Sequence, residues 1–365
     1  MPEDLQTPPP LDPSSDPMGG MLPKKNRYGV LIFVSIISML FMGVALRINW
    51  ELERLPCESI SPAMYQSLDR LPKGVNLIVF LSLHDIRKTV FWKEIIPDSI
   101  KDSRATLGEA SLDSLAKSLD FVLLRDLDTL IYAAEAREGY EPDFLLLVSG
   151  RLPIEKLSLL LTGFSQKDTL QKTWSDPRIT RLKPRLFAAI TDEGRLLVSS
   201  KTRFAEEYLS GNKSFWESDT LLRPLVETAR YKSQMWLVGG VAEWSLAALR
   251  GLTSSNQSLA ETGNIAKIQK MVISMRFGDG VEGQTEWIYR NRTSAFFAGG
   301  LINIAIGVAK LFSSRTTPAQ KELLERIVVK QNLEALAFDI SLTNKLINDL
   351  QSQKEDITPL ATETK

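Results

Sequence analysis

The chain has 365 residues, and its 44 Lys and Arg side chains balance 44 Asp and Glu side chains. Because nucleic-acid binding relies on a basic excess, this balance argues against a DNA- or RNA-binding protein. The apolar content of 44% is close to the globular average, so the chain can bury a substantial core. With only one histidine, His84, and one cysteine, Cys57, the sequence is poor in metal ligands and general bases and excludes an internal disulfide.

Residues 1–27 are rich in proline and are predicted to be a disordered cytoplasmic tail. An uncharged apolar run then starts at Gly29 and ends at Leu46, and at about 1.5 Å per residue it is long enough to cross a bilayer. We therefore predict one transmembrane helix over 28–47. The basic cluster at 24–27 precedes the run, so the positive-inside rule places the following chain outside the cytoplasm. A cleaved signal peptide is the alternative, but the run is long for one and ends without a small-residue cleavage site.

Residues 48–71 are predicted to be a juxtamembrane linker with helical tendency, and 72–230 to be the first half of a folded domain. The predicted elements of this half are a strand at 75–81, helices at 85–94 and 112–119, strands at 129–134 and 144–148, a helix at 154–164, a hairpin of strands at 186–190 and 195–199, and a helix at 204–209. Pro153 suits the start of the helix at 154–164, and Gly211 suits a stop after the last helix.

The second half, 231–350, is predicted to repeat this order. Its elements are a strand at 234–238, a helix at 242–249, strands at 271–277 and 281–289 joined by a hairpin turn, helices at 295–312 and 318–330, a strand at 333–340 and a helix at 342–350. A positive-φ requirement is the expected reason for the glycines of the turn Gly278-Asp279-Gly280. A disordered tail is predicted over 351–365. The fold class predicted is α+β, with two related halves, each an antiparallel sheet with helices on one face, preceded by one transmembrane helix.

Three segments carry a resemblance to a known group of proteins: residues 119–134, the triplet Ser149-Gly150-Arg151 before a helix, and the line from Leu196 to Ser200 before a short helix. In these segments the chain resembles uncharacterised bacterial envelope proteins that have an N-terminal membrane anchor and a duplicated α+β module. The resemblance covers about 72–350. It implies an envelope location and a duplicated module, and it implies no activity and no site residues.

The apolar segment 295–312 has two interpretations. It is long enough for a second transmembrane helix, and its small residues would suit packing in lipid. Two observations favour instead a helix buried against the sheet: Asn303 lies in the middle of the run, and the segment falls where the predicted repeat has a helix packed on the sheet.

Candidate catalytic patterns have simpler explanations. Ser114 and Ser210 each begin a Ser-x-x-Lys match, but the Lys-Thr-Gly element that serine enzymes of this type require is absent from the sequence. His84-Asp85 is better explained as a helix start, with Asp85 in the first turn. Asp126 and Asp128 are expected to cap a turn, because a calcium loop needs more oxygen ligands at close spacing. We predict no metal, cofactor or catalytic site.

Two tryptophans are candidates for partner binding. Trp174 and Trp216 lie in polar surroundings, where exposed aromatic side chains are good binding anchors, although they can equally fold back over the core. Cys57 is expected to be a juxtamembrane thiol, with an intermolecular disulfide as the alternative.

Together these features favour a non-enzymatic role. We expect a single-pass protein of the inner (plasma) membrane whose periplasmic domain is an interaction or scaffold module, with the membrane and an envelope protein as partners and no nucleic acid. The alternatives are a domain that binds lipid or another small apolar molecule, and a hydrolase with a site assembled from scattered residues.

Overall fold

The computed structural model describes residues 56–101, 122–137, 140–167, 176–211, 219–240, 268–311 and 317–357, and the single positions Ser35, Ser38, Met39 and Phe215. The predicted transmembrane segment therefore lies outside the described residues, apart from three of its positions. The helices predicted at 112–119 and 242–249 lie outside them as well.

Eleven strands and eleven helices are described. The strands are β1 Leu77–Ser82, β2 Leu127–Glu135, β3 Asp143–Gly150, β4 Thr180–Lys183, β5 Leu186–Ile190, β6 Leu196–Ser199, β7 Met235–Gly240, β8 Ile268–Phe277, β9 Gly280–Tyr289, β10 Ile327–Asn332 and β11 Ala335–Thr343. The helices are α1 Pro62–Asp69, α2 Leu83–Ile86, α3 Val90–Glu94, α4 Asp98–Lys101, α5 Leu123–Asp126, α6 Ile154–Lys167, α7 Thr202–Leu209, α8 Arg223–Thr228, α9 Arg292–Leu311, α10 Pro318–Glu325 and α11 Asn344–Ile357.

All eleven strands form one antiparallel sheet in the order β10-β11-β9-β8-β7-β1-β2-β3-β6-β5-β4. The α+β class is confirmed, but the expectation of a separate sheet in each half is wrong, because β1 pairs along its length with β7. Ile78 faces Val238 across this central pair, and both side chains are fully buried. Strands this apolar need neighbouring strands on both edges and cover on both faces. The pairing of β1 with β7 gives each of these strands its second neighbour.

Helices cover both faces of the sheet, so the expectation of helices on one face is also wrong. One core cluster joins α1, α7 and α8 to side chains such as Leu145 and Leu147 of β3. A second cluster joins α2 and α6 to the alternate residues Leu146 and Val148 of the same strand. Since side chains alternate between the faces of a strand, a strand apolar at successive positions has an apolar face on either side, and each needs its own cover.

Two predicted helices are divided differently in the structure. The helix expected at 85–94 is two short helices, because the side chains of Ser82 and Thr89 each accept a backbone N–H and cap a separate start. The helix expected at 318–330 ends at Glu325. Its last residues belong to β10, whose β-branched Ile-Val-Val run pairs with β11, so strand pairing overrides the helical pattern there.

The glycine predictions have mixed outcomes. Gly211 after α7 adopts a φ of 70°, which confirms the predicted helix stop. Gly194 in the β5–β6 hairpin adopts a φ of 71°, a conformation that favours glycine. The positive-φ explanation for Gly278 and Gly280 is wrong, since neither is among the positive-φ residues. Gly280 is required for a different reason: a Cβ there would overlap the carbonyl oxygen of Leu342 on β11.

Candidate functional site

The longest described helix, α9, begins at a defined cap and covers the end of the sheet formed by β10, β11 and β9. The Asn291 side chain accepts the backbone N–H of Ser294 at 2.8 Å, which satisfies one of the unpaired donors of the first turn. At about 1.5 Å per residue its 20 residues span roughly 30 Å. No proline interrupts this length.

Small residues form the face of α9 that packs on the sheet. Ala295 and Ala298 are buried against Leu336 of β11, which is itself fully buried. A Cβ at Gly299 would come within 2.9 Å of the Leu336 Cδ2 atom, so glycine permits the helix to approach the sheet this closely. The rings of Trp287 and Phe338, with centroids 4.4 Å apart, belong to the same cluster. This face therefore docks α9 through close packing.

Large apolar residues form the opposite face and are exposed. Phe297 is 57% exposed, Leu301 44%, Ile304 64% and Val308 44%. Their spacing of four, three and four residues places them on one line along the helix. We name these four residues the α9 stripe. Side chains of this kind are normally withdrawn from water, and a contiguous apolar line of this size is typical of an interaction surface.

The polar groups of α9 do not interrupt the stripe. The Asn303 side-chain amide donates to the Gly299 carbonyl oxygen at 2.9 Å, so this group is bonded within its own helix. The charged side chains lie at the ends, with Arg290 and Arg292 exposed at the start and Lys310 in the last turn. The sequence from 290 to 321 contains five basic residues and no Asp or Glu. The charged side chains of this helix and of its first turn are therefore all basic.

The favoured interpretation of 295–312 is a helix buried against the sheet. It is right for the face of α9 that packs on the sheet and wrong for the opposite face, which is exposed. Within the described part of the chain, only the segment Arg292–Lys310 is long and apolar enough to cross a membrane, and 22% of its apolar window is buried. Small residues at 295, 298 and 299 and large ones at 297, 301, 304 and 308 already separate into two faces at helical spacing. That separation is the sequence signal which would have revealed the stripe.

The segment predicted to be a juxtamembrane linker, 48–71, is bonded into the folded domain from Glu58 onward. The Glu58 carboxylate accepts the backbone N–H groups of Lys232 and Ser233, both at 2.8 Å, and the Glu58 N–H donates to the Arg230 carbonyl oxygen at 2.9 Å. Cys57 is exposed, with its sulfur 3.5 Å from the Thr228 carbonyl oxygen. The chain therefore enters the fold within about a dozen residues of the predicted bilayer boundary.

A charged cluster surrounds the buried ring of Tyr231 close to this entry point. The guanidinium groups of Arg230 and Arg276 lie 4.8 and 5.0 Å from the ring centroid. The Tyr231 hydroxyl donates to the Glu282 carboxylate at 3.0 Å, and Arg276 pairs with the same carboxylate at 2.6 Å. Burial, and then the bond to Glu282, raise the pKa of Tyr231 to about 12. The charges are internally paired, which is typical of a structural network.

The predicted partner-binding residues, Trp174 and Trp216, lie outside the described residues, so their placement stays a prediction. Ser114 also lies outside the described residues. His84 and Asp85 lie in α2, as predicted: the Asp85 carboxylate accepts from the Ser82 hydroxyl at 2.7 Å in the first turn. His84 is exposed, and its Nδ1 atom lies 3.6 Å from a carboxylate oxygen of Asp128.

Asp126 and Asp128 have structural partners. Asp126 accepts the Val122 backbone N–H at 2.9 Å and pairs with Arg125, whose hydrogen bond lowers the pKa of the Asp126 carboxyl. Asp128 pairs with Arg87. Of the two residues expected to cap a turn, Asp126 bonds to the backbone of the turn that begins at Val122, whereas the contact shown for Asp128 is with the Arg87 side chain. The described residues contain no group of three or more His, Cys, Asp or Glu side chains that could hold a metal ion.

Comparisons of the chain with protein-family models, with curated proteins and with solved structures gave no match.

Proposed function

We propose that the protein is a membrane-anchored, non-catalytic interaction module of the cell envelope, and that the α9 stripe is its docking surface. In this proposal 1–27 is a cytoplasmic tail, 28–47 crosses the inner membrane once, and the sheet domain lies on the periplasmic side. The observation that carries the proposal is the line of four exposed apolar side chains on α9. The internally paired Asp126, Asp128 and Tyr231 support a scaffold role over catalysis.

We further propose that 72–230 and 231–350 are related halves. The strand order supports this: β1-β2-β3 is followed by α6 and the β5–β6 hairpin, with β6 beside β3. In the same way, β7-β8-β9 is followed by the helix α9 and the β10–β11 hairpin, with β11 beside β9. Under this correspondence α6 and α9 are equivalent helices, and the stripe is a feature of the second half alone.

Site-specific photo-cross-linking in the native membrane tests the docking surface. A benzoylphenylalanine residue replaces Ile304 in the stripe, and a matched variant carries it at Leu159, which is 74% exposed on the equivalent helix α6. We expect one predominant adduct, protein or lipid, from position 304 and only background from position 159. Equal, diffuse adducts from both positions, or none from either, would contradict the proposal.

A further inference from the structure

We propose that the surface of the bilayer, through its anionic headgroups, is the partner that covers the α9 stripe, so that α9 lies flat in the membrane interface. This inference rests on the proposed function, because it requires the stripe to be a docking surface. The occupant is identified by the shape of the stripe, the charges around it and the length of the tether that leads to it.

The first argument is geometric. One face of α9 is bound to the sheet through Ala295, Ala298 and Gly299, so the helix cannot be surrounded by lipid as a crossing helix is. The opposite face presents a single apolar line that extends over roughly 16 Å, from Phe297 to Val308. A helix of this kind, apolar on its free face and held along its length, suits shallow burial at the boundary of headgroups and acyl chains.

The second argument is charge complementarity. Arg290 and Arg292 lie before the stripe and Lys310 after it along α9, and the sequence from 290 to 321 contains no Asp or Glu. Basic side chains beside an apolar helical face attract anionic lipid headgroups. One N–H of the Asn303 side-chain amide is bonded to the Gly299 carbonyl oxygen, which lowers the number of unpaired polar groups that immersion of the helix would bury. An apolar protein groove would explain the stripe but would not require these charges.

The third argument is the short tether. The predicted anchor ends at Leu46, and the chain is bonded into the domain from Glu58 onward, so 47–57 is the only connecting segment. Fully extended, these residues reach roughly 40 Å, which is comparable with the dimensions of the domain itself. The bilayer is therefore the surface that the domain meets at the highest effective concentration, and weak docking is enough to occupy it.

Spin-label accessibility in the full-length protein tests this inference. In a Cys57→Ser background, a spin label is placed at Ile304→Cys in the stripe or at Leu159→Cys on α6 as the control. Each protein is reconstituted at one chain per nanodisc, in phosphatidylcholine alone or mixed with phosphatidylglycerol. Collision rates are measured with oxygen, which concentrates in lipid, and with a water-soluble nickel chelate. Equal thermal unfolding of both labelled proteins establishes that the substitutions leave the fold intact.

We expect the ratio of oxygen to nickel collisions to be at least about threefold higher at position 304 than at position 159 in the anionic discs. The ratio at 304 should fall in phosphatidylcholine alone, and it should fall to the control value when Leu301→Ser and Val308→Ser are added. Equal ratios at 304 and 159 in the anionic discs would overturn bilayer docking.

The two proposals can fail separately. If position 304 is open to the nickel chelate in one-chain discs but protected in two-chain discs, the occupant is a second copy of the chain, and the bilayer inference falls while the docking surface stands. If 304 is open in every disc yet cross-links to one protein in native membranes, the bilayer inference again falls alone. If 304 is open in every disc and gives no adduct in native membranes, both proposals fall.

Discussion

Gly150, at the end of β3, offers a sharp test of the packing. β2 has an irregular register between Leu127 and Thr129, and there the Arg151 N–H donates to the Asp126 carbonyl oxygen at 2.7 Å. A Cβ at Gly150 would overlap that carbonyl oxygen and would lie 2.9 Å from the Leu127 Cα atom. Carbon atoms prefer separations near 3.5–4.0 Å, and backbone atoms cannot rotate away as the end of a side chain can.

We therefore expect Gly150→Ala to lower the free energy of unfolding by about 3 kcal/mol or more. Overpacking of a tight site costs about 1–3 kcal/mol, and loss of the Arg151 hydrogen bond adds about 1 kcal/mol. The matched control is Gly163→Ala inside α6, where a Cβ meets nothing within 4 Å. This control should raise the free energy of unfolding by about 0.5–1 kcal/mol, because alanine favours the helix.

Urea unfolding of the full-length protein in micelles, followed by tryptophan fluorescence, measures both variants. The midpoints should shift in opposite directions with an unchanged slope, since neither variant alters the surface exposed on unfolding. A Gly150→Ala midpoint within error of the parent would refute the close approach of β3 to the Asp126 carbonyl. A destabilised Gly163→Ala would refute the open surroundings of that part of α6.

Three further predictions concern other buried groups. Leu336→Ala should lower the free energy of unfolding by about 2–5 kcal/mol and increase hydrogen exchange in α9, because it leaves a cavity beneath that helix; unchanged exchange would argue against the packing. The folded-state pKa of Tyr231, near 12, lies above the unfolded value of 10, so the folded chain holds this proton more tightly and its stability falls as pH rises from 10 to 12. Thermal unfolding between these pH values should show a smaller loss of stability with pH for Tyr231→Phe than for the parent. An equal loss in both proteins would contradict the prediction. Because the folded-state pKa of Asp126 is lowered, its carboxylate stabilises the fold above the unfolded value near 3.8, and this stabilisation is lost as pH falls through the folded value. Asp126→Asn should therefore lower the free energy of unfolding by about 1–3 kcal/mol at pH 7 and by progressively less below about pH 4. A pH-independent difference would refute the role of the Arg125 pair.

Local patterns in the sequence were sufficient to place most of the strands and several turns. Strands β1, β2, β3, β5, β6, β7, β8, β9 and β11 lie within a few residues of their predicted positions, because apolar β-rich runs bounded by turn residues are a local signal. The helix stop at Gly211 was also predicted from local sequence, since it depends on neighbouring residues. The signal was weaker where a segment suits two structures. The run at 327–332 continued the pattern of a helix, and pairing with β11 made it a strand.

The sequence by itself determined the mixed α and β class of the fold and the presence of a single histidine and a single cysteine, whereas the anchor at 28–47 stays a prediction. Only the tertiary structure decided that β1 and β7 join the strands into one sheet with helices on both faces, because strand partners are distant in sequence and periodicity does not name them. The tertiary structure also decided which face of the helix 292–311 is exposed. Both faces of this helix are apolar in sequence, so the exposure of each face depends on whether the sheet covers it. The sheet covers the small-residue face at Gly299 and leaves Phe297, Leu301, Ile304 and Val308 exposed.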